Sequence, residues 1–190
     1  MTTKPKKCFM YIEMGILFAT IVGLGMIWST APIYSSPSPT TRTSAPVIDD
    51  ISCDSMEHLN MHIHAHLDIF INGSSYPVPS DVGRIPDQCI YWMHTHDDNG
   101  VIHVESPEER NFTLGEFFDI WGQNLSNSQI FDNTVEESDN GTLNVYVNGK
   151  KASAGSDYTR IPIKAHHEIA IVYDTPPDSI PSTYAFPEGL

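Results

Sequence analysis

Basic side chains are scarce in this chain. Among its 190 residues, 10 Lys and Arg stand against 24 Asp and Glu, a formal net charge of -14. Four of the basic residues (Lys4, Lys6, Lys7 and Arg42) and one acidic residue (Glu13) fall in residues 1–45. The remaining chain therefore carries 6 basic and 23 acidic side chains, a net of -17. A surface of that sign repels nucleic acid and anionic lipid, so no nucleic-acid partner is expected, and it attracts cations, metal ions included. Solubility alone is the simpler use of such charge. Several signatures are also missing: there is no phosphate loop, no His-Glu-x-x-His and no Gly-x-Ser-x-Gly. Cysteine is limited to Cys8, Cys53 and Cys89. Outside the cytoplasm Cys53 and Cys89 are expected to pair, the alternative being a free, copper-ligating thiol.

Residues 8–28, CFMYIEMGILFATIVGLGMIW, are long enough to span a bilayer as a helix, with Glu13 as the only charge. Lys4, Lys6 and Lys7 precede this run, and no basic residue follows it until Arg42. The positive-inside rule then places residues 1–7 in the cytoplasm as a short tip and the rest of the chain outside, on a single-pass anchor. A cleaved signal peptide is the rival reading, with Ser29-Thr30-Ala31 as the cut, but Pro32 just after it suits a peptidase poorly. Residues 29–46 read as an extended Pro/Ser/Thr linker. Residues 47–178 are expected to form one extracytoplasmic domain, and residues 179–190 a C-terminal tail. Asn-x-Ser/Thr triplets at Asn72, Asn111, Asn124 and Asn140 are compatible with a glycosylated outer surface.

Within the domain, three alternating segments end in Asn-Gly, a strong hairpin signal: MHIHAHLDIFI before Asn72, IYWMHTHDD before Asn99, and TLNVYV before Asn148. A fourth strand is expected over HHEIAIVYD, and one short helix around FTLGEFFDIWGQNL, with Thr113 or Asn111 as cap and Phe117, Phe118, Ile120 and Trp121 packing. LDIFINGSSYPV and LNVYVNGKKASA share a strand-turn-strand plan. The pattern predicts a mainly β domain, an antiparallel sandwich or small barrel built of hairpins with one short α-helix, behind an N-terminal transmembrane helix.

Seven of the nine histidines fall within residues 58–103. In MHIHAHLDIFI, side chains alternate between faces. Ile63, Ala65, Leu67, Ile69 and Ile71 take the core face, and His62, His64, His66 and Asp68 the other. Alternate residues stand about 6.5–7 Å apart, so two of these imidazoles can share a metal. If Asn99-Gly100 is a two-residue turn, opposed residues in the second hairpin have numbers summing to 199. His96 then faces His103, and His94 faces Glu105. Three imidazoles and a carboxylate are a set that zinc and copper(II) accept. A longer loop would change the register, and a polar hairpin face is the bland reading of both clusters. Asp97, like Asp68, is a candidate acceptor behind an imidazole, while His58, His166, His167 and Glu168 are further positions able to complete a site. Met56, Met61 and Met93 suit copper(I) as thioethers, or simply fill the core.

The blocks CDSMEHLNMHIHAHLDIFING, CIYWMHTHDDNGVIHVESP and FTLGEFFDIWG resemble an uncharacterised family of secreted or membrane-anchored proteins from archaea, notably ammonia-oxidising lineages, and some bacteria. The resemblance spans about residues 51–173. It implies a Cys53–Cys89 pair and a His-Thr-His hairpin that acts as one unit, and it supplies no activity. A cupin would need further Glu and Gly/His blocks, and a blue-copper site a cysteine after Cys89; neither is present. Three functions follow. The first is a membrane-anchored module that captures or delivers copper or zinc, with a membrane protein as possible partner. The second is a zinc or copper enzyme with a three-His site similar to that of α-type carbonic anhydrases. The third is an envelope accessory subunit whose histidines only hydrogen-bond.

Overall fold

A computed structural model of the chain describes residues 44–135 and 141–190. The expected anchor at residues 8–28, most of the linker, and Asn140 lie outside the described residues. Among the described residues, no helix is long and apolar enough to cross a membrane. In chain order the elements begin with β1 (Cys53–Asp54), β2 (Met61–Ile71), β3 (Ser74–Tyr76), β4 (Arg84–Ile85), β5 (Cys89–Tyr91), β6 (Met93–His94) and β7 (Val101–Ser106). There follow β8 (Phe112–Thr113), helix α1 (Leu114–Trp121), β9 (Gln129–Ile130), β10 (Asn133–Thr134), β11 (Leu143–Val147), β12 (Lys150–Lys151), β13 (Pro162–Ile163) and β14 (Glu168–Tyr173).

The molecule is mainly β, as expected, but its sheets do not close into a barrel. The principal sheet has seven strands in the order β12-β11-β14-β2-β7-β6, with β3 also on β2. It is not purely antiparallel: β14 runs parallel to β2, His66 lying opposite Glu168 and Ile71 opposite Tyr173. β2 is long enough to take two neighbours in succession on its other edge, β7 along Met61–His66 and β3 along Ile69–Ile71.

The alternation read from the sequence decides the two faces. Ala65, Leu67, Ile69, Met93, Ile102, Val104, Ile169 and Ile171 are fully buried on one side, in a cluster that includes Phe112, Leu114, Phe117 and Phe118. Helix α1 closes that side. Thr113 caps it through a reciprocal pair with Glu116, and Gly122 ends it at φ 71°. Ile120 and Trp121 pack at its margin.

Two of the three Asn-Gly turns are two-residue hairpins. Ile71 pairs with Ser74 and Val147 with Lys150, and Asn72, Gly73, Asn148 and Gly149 all have positive φ. The third is not. Residues 95–100 form a longer loop, and His94 lies opposite His103, so the pair numbers sum to 197 rather than 199. The reason lies on β2: the Leu67 amide donates to the Gly100 carbonyl at 2.9 Å, drawing the loop across the sheet. A Cβ on Gly100 would sit 2.5 Å from the Leu67 carbonyl oxygen, so glycine serves close approach here rather than a tight turn.

The predicted fourth strand starts at Glu168, leaving His166 and His167 in the preceding turn. Cys53 and Cys89 are joined, tying β1 to β5. The end of the linker already belongs to the fold, since Ala45 packs on the core and the Pro46 carbonyl accepts from the Tyr91 hydroxyl. Residues 179–190 contain no strand or helix, yet Tyr184 stacks on His66 with ring centres 3.8 Å apart.

Candidate metal centre

β7 runs between β2 and β6. His64, His103 and His94 stand opposite one another across these three strands, and His62 stands opposite Glu105. Opposed residues share a face, so all five side chains point the same way. The shifted register exchanges the expected partners without dispersing the group. His96 follows β6 in the 95–100 loop, and its ring packs edge-on against those of His94 and His103 at 4.9 and 4.4 Å.

The polar face is not a solvated one. His94 is 0% exposed, Glu105 4%, His64 6% and His103 8%. His96 is half-buried and His62 exposed, at opposite margins of the cluster. His62 also borders an open cavity of about 600 Å³, shared with Asn60, Arg110 and Asn111.

The donor atoms meet in two places. His62 Nε2 lies 3.1 Å from His64 Nε2 and 3.1 Å from Glu105 Oε1. On the other side, His94 Nε2 lies 3.2 Å from His96 Nε2. The His94 Nδ1–H donates to the Tyr91 carbonyl at 3.0 Å, which leaves Nε2 with its lone pair facing His96. A tetrahedral ion with bonds of about 2.0–2.1 Å holds its nitrogens about 3.3–3.4 Å apart, close to both spacings.

Burial and the neighbouring rings push His64 and His94 down to about 4 and His103 down to about 3, so these imidazoles are neutral at pH 7. Burial, and then the charge of Glu57, raises Glu105 to about 7. His103 Nδ1 and Glu105 Oε2 are buried without a hydrogen-bond partner. Buried polar atoms seldom lack one. Neutral imidazoles are the electronic state a transition metal requires of its nitrogen ligands, and Glu105 joins them by giving up its proton.

His66 does not join this group. Its Nδ1 lies 2.9 Å from Glu168 Oε2 and its Nε2 2.8 Å from the Asn99 carbonyl oxygen, so both ring nitrogens donate and neither keeps a lone pair. Burial opposes charge on the ring, but the hydrogen bond and charge of Glu168 outweigh it, and His66 is raised. Burial also raises Glu168, and the hydrogen bond and charge of His66 act against that rise. Asp68 stands behind it, 3.8 Å from His66 Nδ1. His66, Asp68 and Glu168 lie close enough to form a third possible ligand group, but the protonated ring suits a latch between β2, β14 and the 95–100 loop.

Other expected residues fall outside the centre. Asp97 is exposed on the loop and hydrogen-bonds to no ring among the described residues. His58 pairs with Asp54 at 2.8 Å, and Asp54 also accepts from the Trp92 indole. His166 is exposed, with Nε2 3.3 Å from the Leu190 carbonyl oxygen. Met93 is core, Met61 packs beside it, and Met56 is exposed. Asn72, Asn111 and Asn124 are exposed. Glu57, 3.6 Å from His96 Nε2, was not marked by any periodicity, because it lies in an irregular loop. No family model matches this chain, and no curated protein or solved structure is similar to it.

Proposed function

We propose that this chain is a membrane-anchored protein whose extracytoplasmic domain captures or delivers copper or zinc through the histidines of β2, β6 and β7. The observation that carries this reading is the convergence of donor atoms on one face of the sheet, in two groups that each include His103 and Glu105. His64, His94 and His103 gather around Glu105, and two of the buried atoms have no partner in the protein. Nitrogen-rich sites with one carboxylate accept both metals, and copper(II) binds such sites more tightly than zinc. The acidic domain, the tether and the linker suit gathering cations at a membrane surface. A second reading, a zinc or copper enzyme, draws on the accessible margin at His62 and on a carboxyl poised near neutrality at Glu105.

The test is metal content by mass spectrometry on the full-length chain in detergent, purified without a His-tag. At least one copper or zinc per chain is expected. His103→Ala/Glu105→Gln, which removes the residues common to both donor groups, is expected to weaken binding about tenfold or more, while His58→Ala leaves it unchanged. A chain that takes up neither metal on reconstitution and melts at the same temperature throughout supports the accessory-subunit reading instead.

A further inference from the structure

We infer that the cluster is a dinuclear centre, with two divalent transition-metal ions side by side, one held by His62 and His64 and the other by His94 and His96, bridged by the Glu105 carboxylate. This rests on the metal reading above and adds number and arrangement to it.

The donors form two sets, not one. His62, His64, His103 and Glu105 have ligand atoms within 4.8 Å of one another, and so do His94, His96, His103 and Glu105. The six residues together do not form a single set at that spacing. Two ligands on one ion with bonds of about 2.0–2.2 Å are at most about 4.4 Å apart, so one ion cannot serve both flanking pairs. The strand order explains the division. β2 and β6 each bring a His-x-His pair, and β7, between them, brings the two shared residues.

Glu105 is placed to bridge. Its Oε1 faces His62 Nε2 at 3.1 Å, and its Oε2 is buried and unpartnered. A carboxylate that gives one oxygen to each ion suits the spacing of about 3.5–4 Å found in two-metal sites. His103 Nδ1, 3.8 Å from the same Oε1, adds a nitrogen on the His62 side. On the other side Glu57, 3.6 Å from His96 Nε2, adds negative charge where two cations lie close together. The two positions therefore differ: the His62/His64 ion has three nitrogens and an oxygen, whereas the His94/His96 ion keeps a side open toward Glu57 and solvent.

Full-length chain in detergent, stripped of metal and titrated with copper(II), tests this by native mass spectrometry and electron paramagnetic resonance. Two copper ions per chain are expected, with a resonance intensity well below that of two isolated ions, because the carboxylate couples their spins. His62→Ala/His64→Ala and His94→Ala/His96→Ala should each hold one ion with its full signal. One ion per chain in the unaltered protein overturns the dinuclear arrangement and leaves metal binding intact. Two ions with full, uncoupled signals overturn the bridge. No bound ion overturns both readings. The stoichiometry and coupling of the unaltered protein decide the matter even where a double variant does not fold.

Discussion

Glu105 and the rings around it pull stability in opposite directions as pH changes. His64, His94 and His103 are lowered to about 4, 4 and 3, so the unfolded chain takes up protons at these sites before the folded one does. Their contribution is full above the unfolded value of about 6.5 and is lost as pH falls toward the folded values. Glu105, raised to about 7, contributes below its unfolded value and loses that contribution as pH rises through about 7. His66, also raised, keeps its contribution throughout the acid range and loses it only as pH rises above about 6.5. Between pH 6.5 and 4 the three large downward shifts, joined by that of His167, outweigh the upward shifts of Glu105, Glu168 and Asp119. The melting temperature of the metal-free chain should therefore fall across that window. Saturating copper or zinc should displace the fall to lower pH, because a bound ion holds the rings deprotonated. A melting temperature that stays level or rises on acidification, read by circular dichroism, would remove the account of the buried rings. The positions of His62, His64 and Asp68 on one face were legible from spacing alone. The burial of His64 was not, since a polar face reads as solvated until the chain that covers it is known. His66 shows the limit most clearly: it shares the repeat of His62 and His64, but Glu168, 102 residues away in the chain, takes its nitrogen.

At the scale of elements, local chemistry decides the outcome where nothing distant interferes. Asn72-Gly73 and Asn148-Gly149 make the turns their residues favour, and Thr113 with Glu116 caps the helix. Asn99-Gly100 has the same letters but a different conformation. The Leu67 amide takes the Gly100 carbonyl, His66 takes that of Asn99, and the hairpin register moves by two residues. Parallel pairing of β14 with β2 was equally hidden, because their separation in sequence carries no turn signal. The disulfide acts at this scale too. Cys53 lies just upstream of β2 and Cys89 just upstream of β6, so one bond holds together the approaches to both flanking histidine pairs. It closes a segment with a sequence separation of 36, for which loop entropy gives about 3–4 kcal/mol. Cys53→Ser/Cys89→Ser should lower the unfolding free energy by about that amount in urea titration; an unchanged midpoint would show that β1 and β5 hold without it.

Across the whole molecule, β14 is the strand on which the parts depend. It lies between β11 and β2, and its side chains are buried from Glu168 to Val172. Ending the chain after residue 165 should leave β2 and β11 with open edges, and such edges pair with other copies. Size-exclusion chromatography in detergent should find that form aggregated, whereas a chain ending after residue 178 should elute like the full-length one. If both behave alike, β14 is not the joining strand. Its place also sets the order of assembly. The strands that carry the clustered histidines lie within residues 61–106, while the strand that joins them to the rest of the sheet is the last to be synthesised. A growing chain therefore displays its full set of imidazoles for some sixty residues of further synthesis before the sheet is complete. Any transition-metal ion present during synthesis would meet these side chains while they are still attached to an unfinished protein.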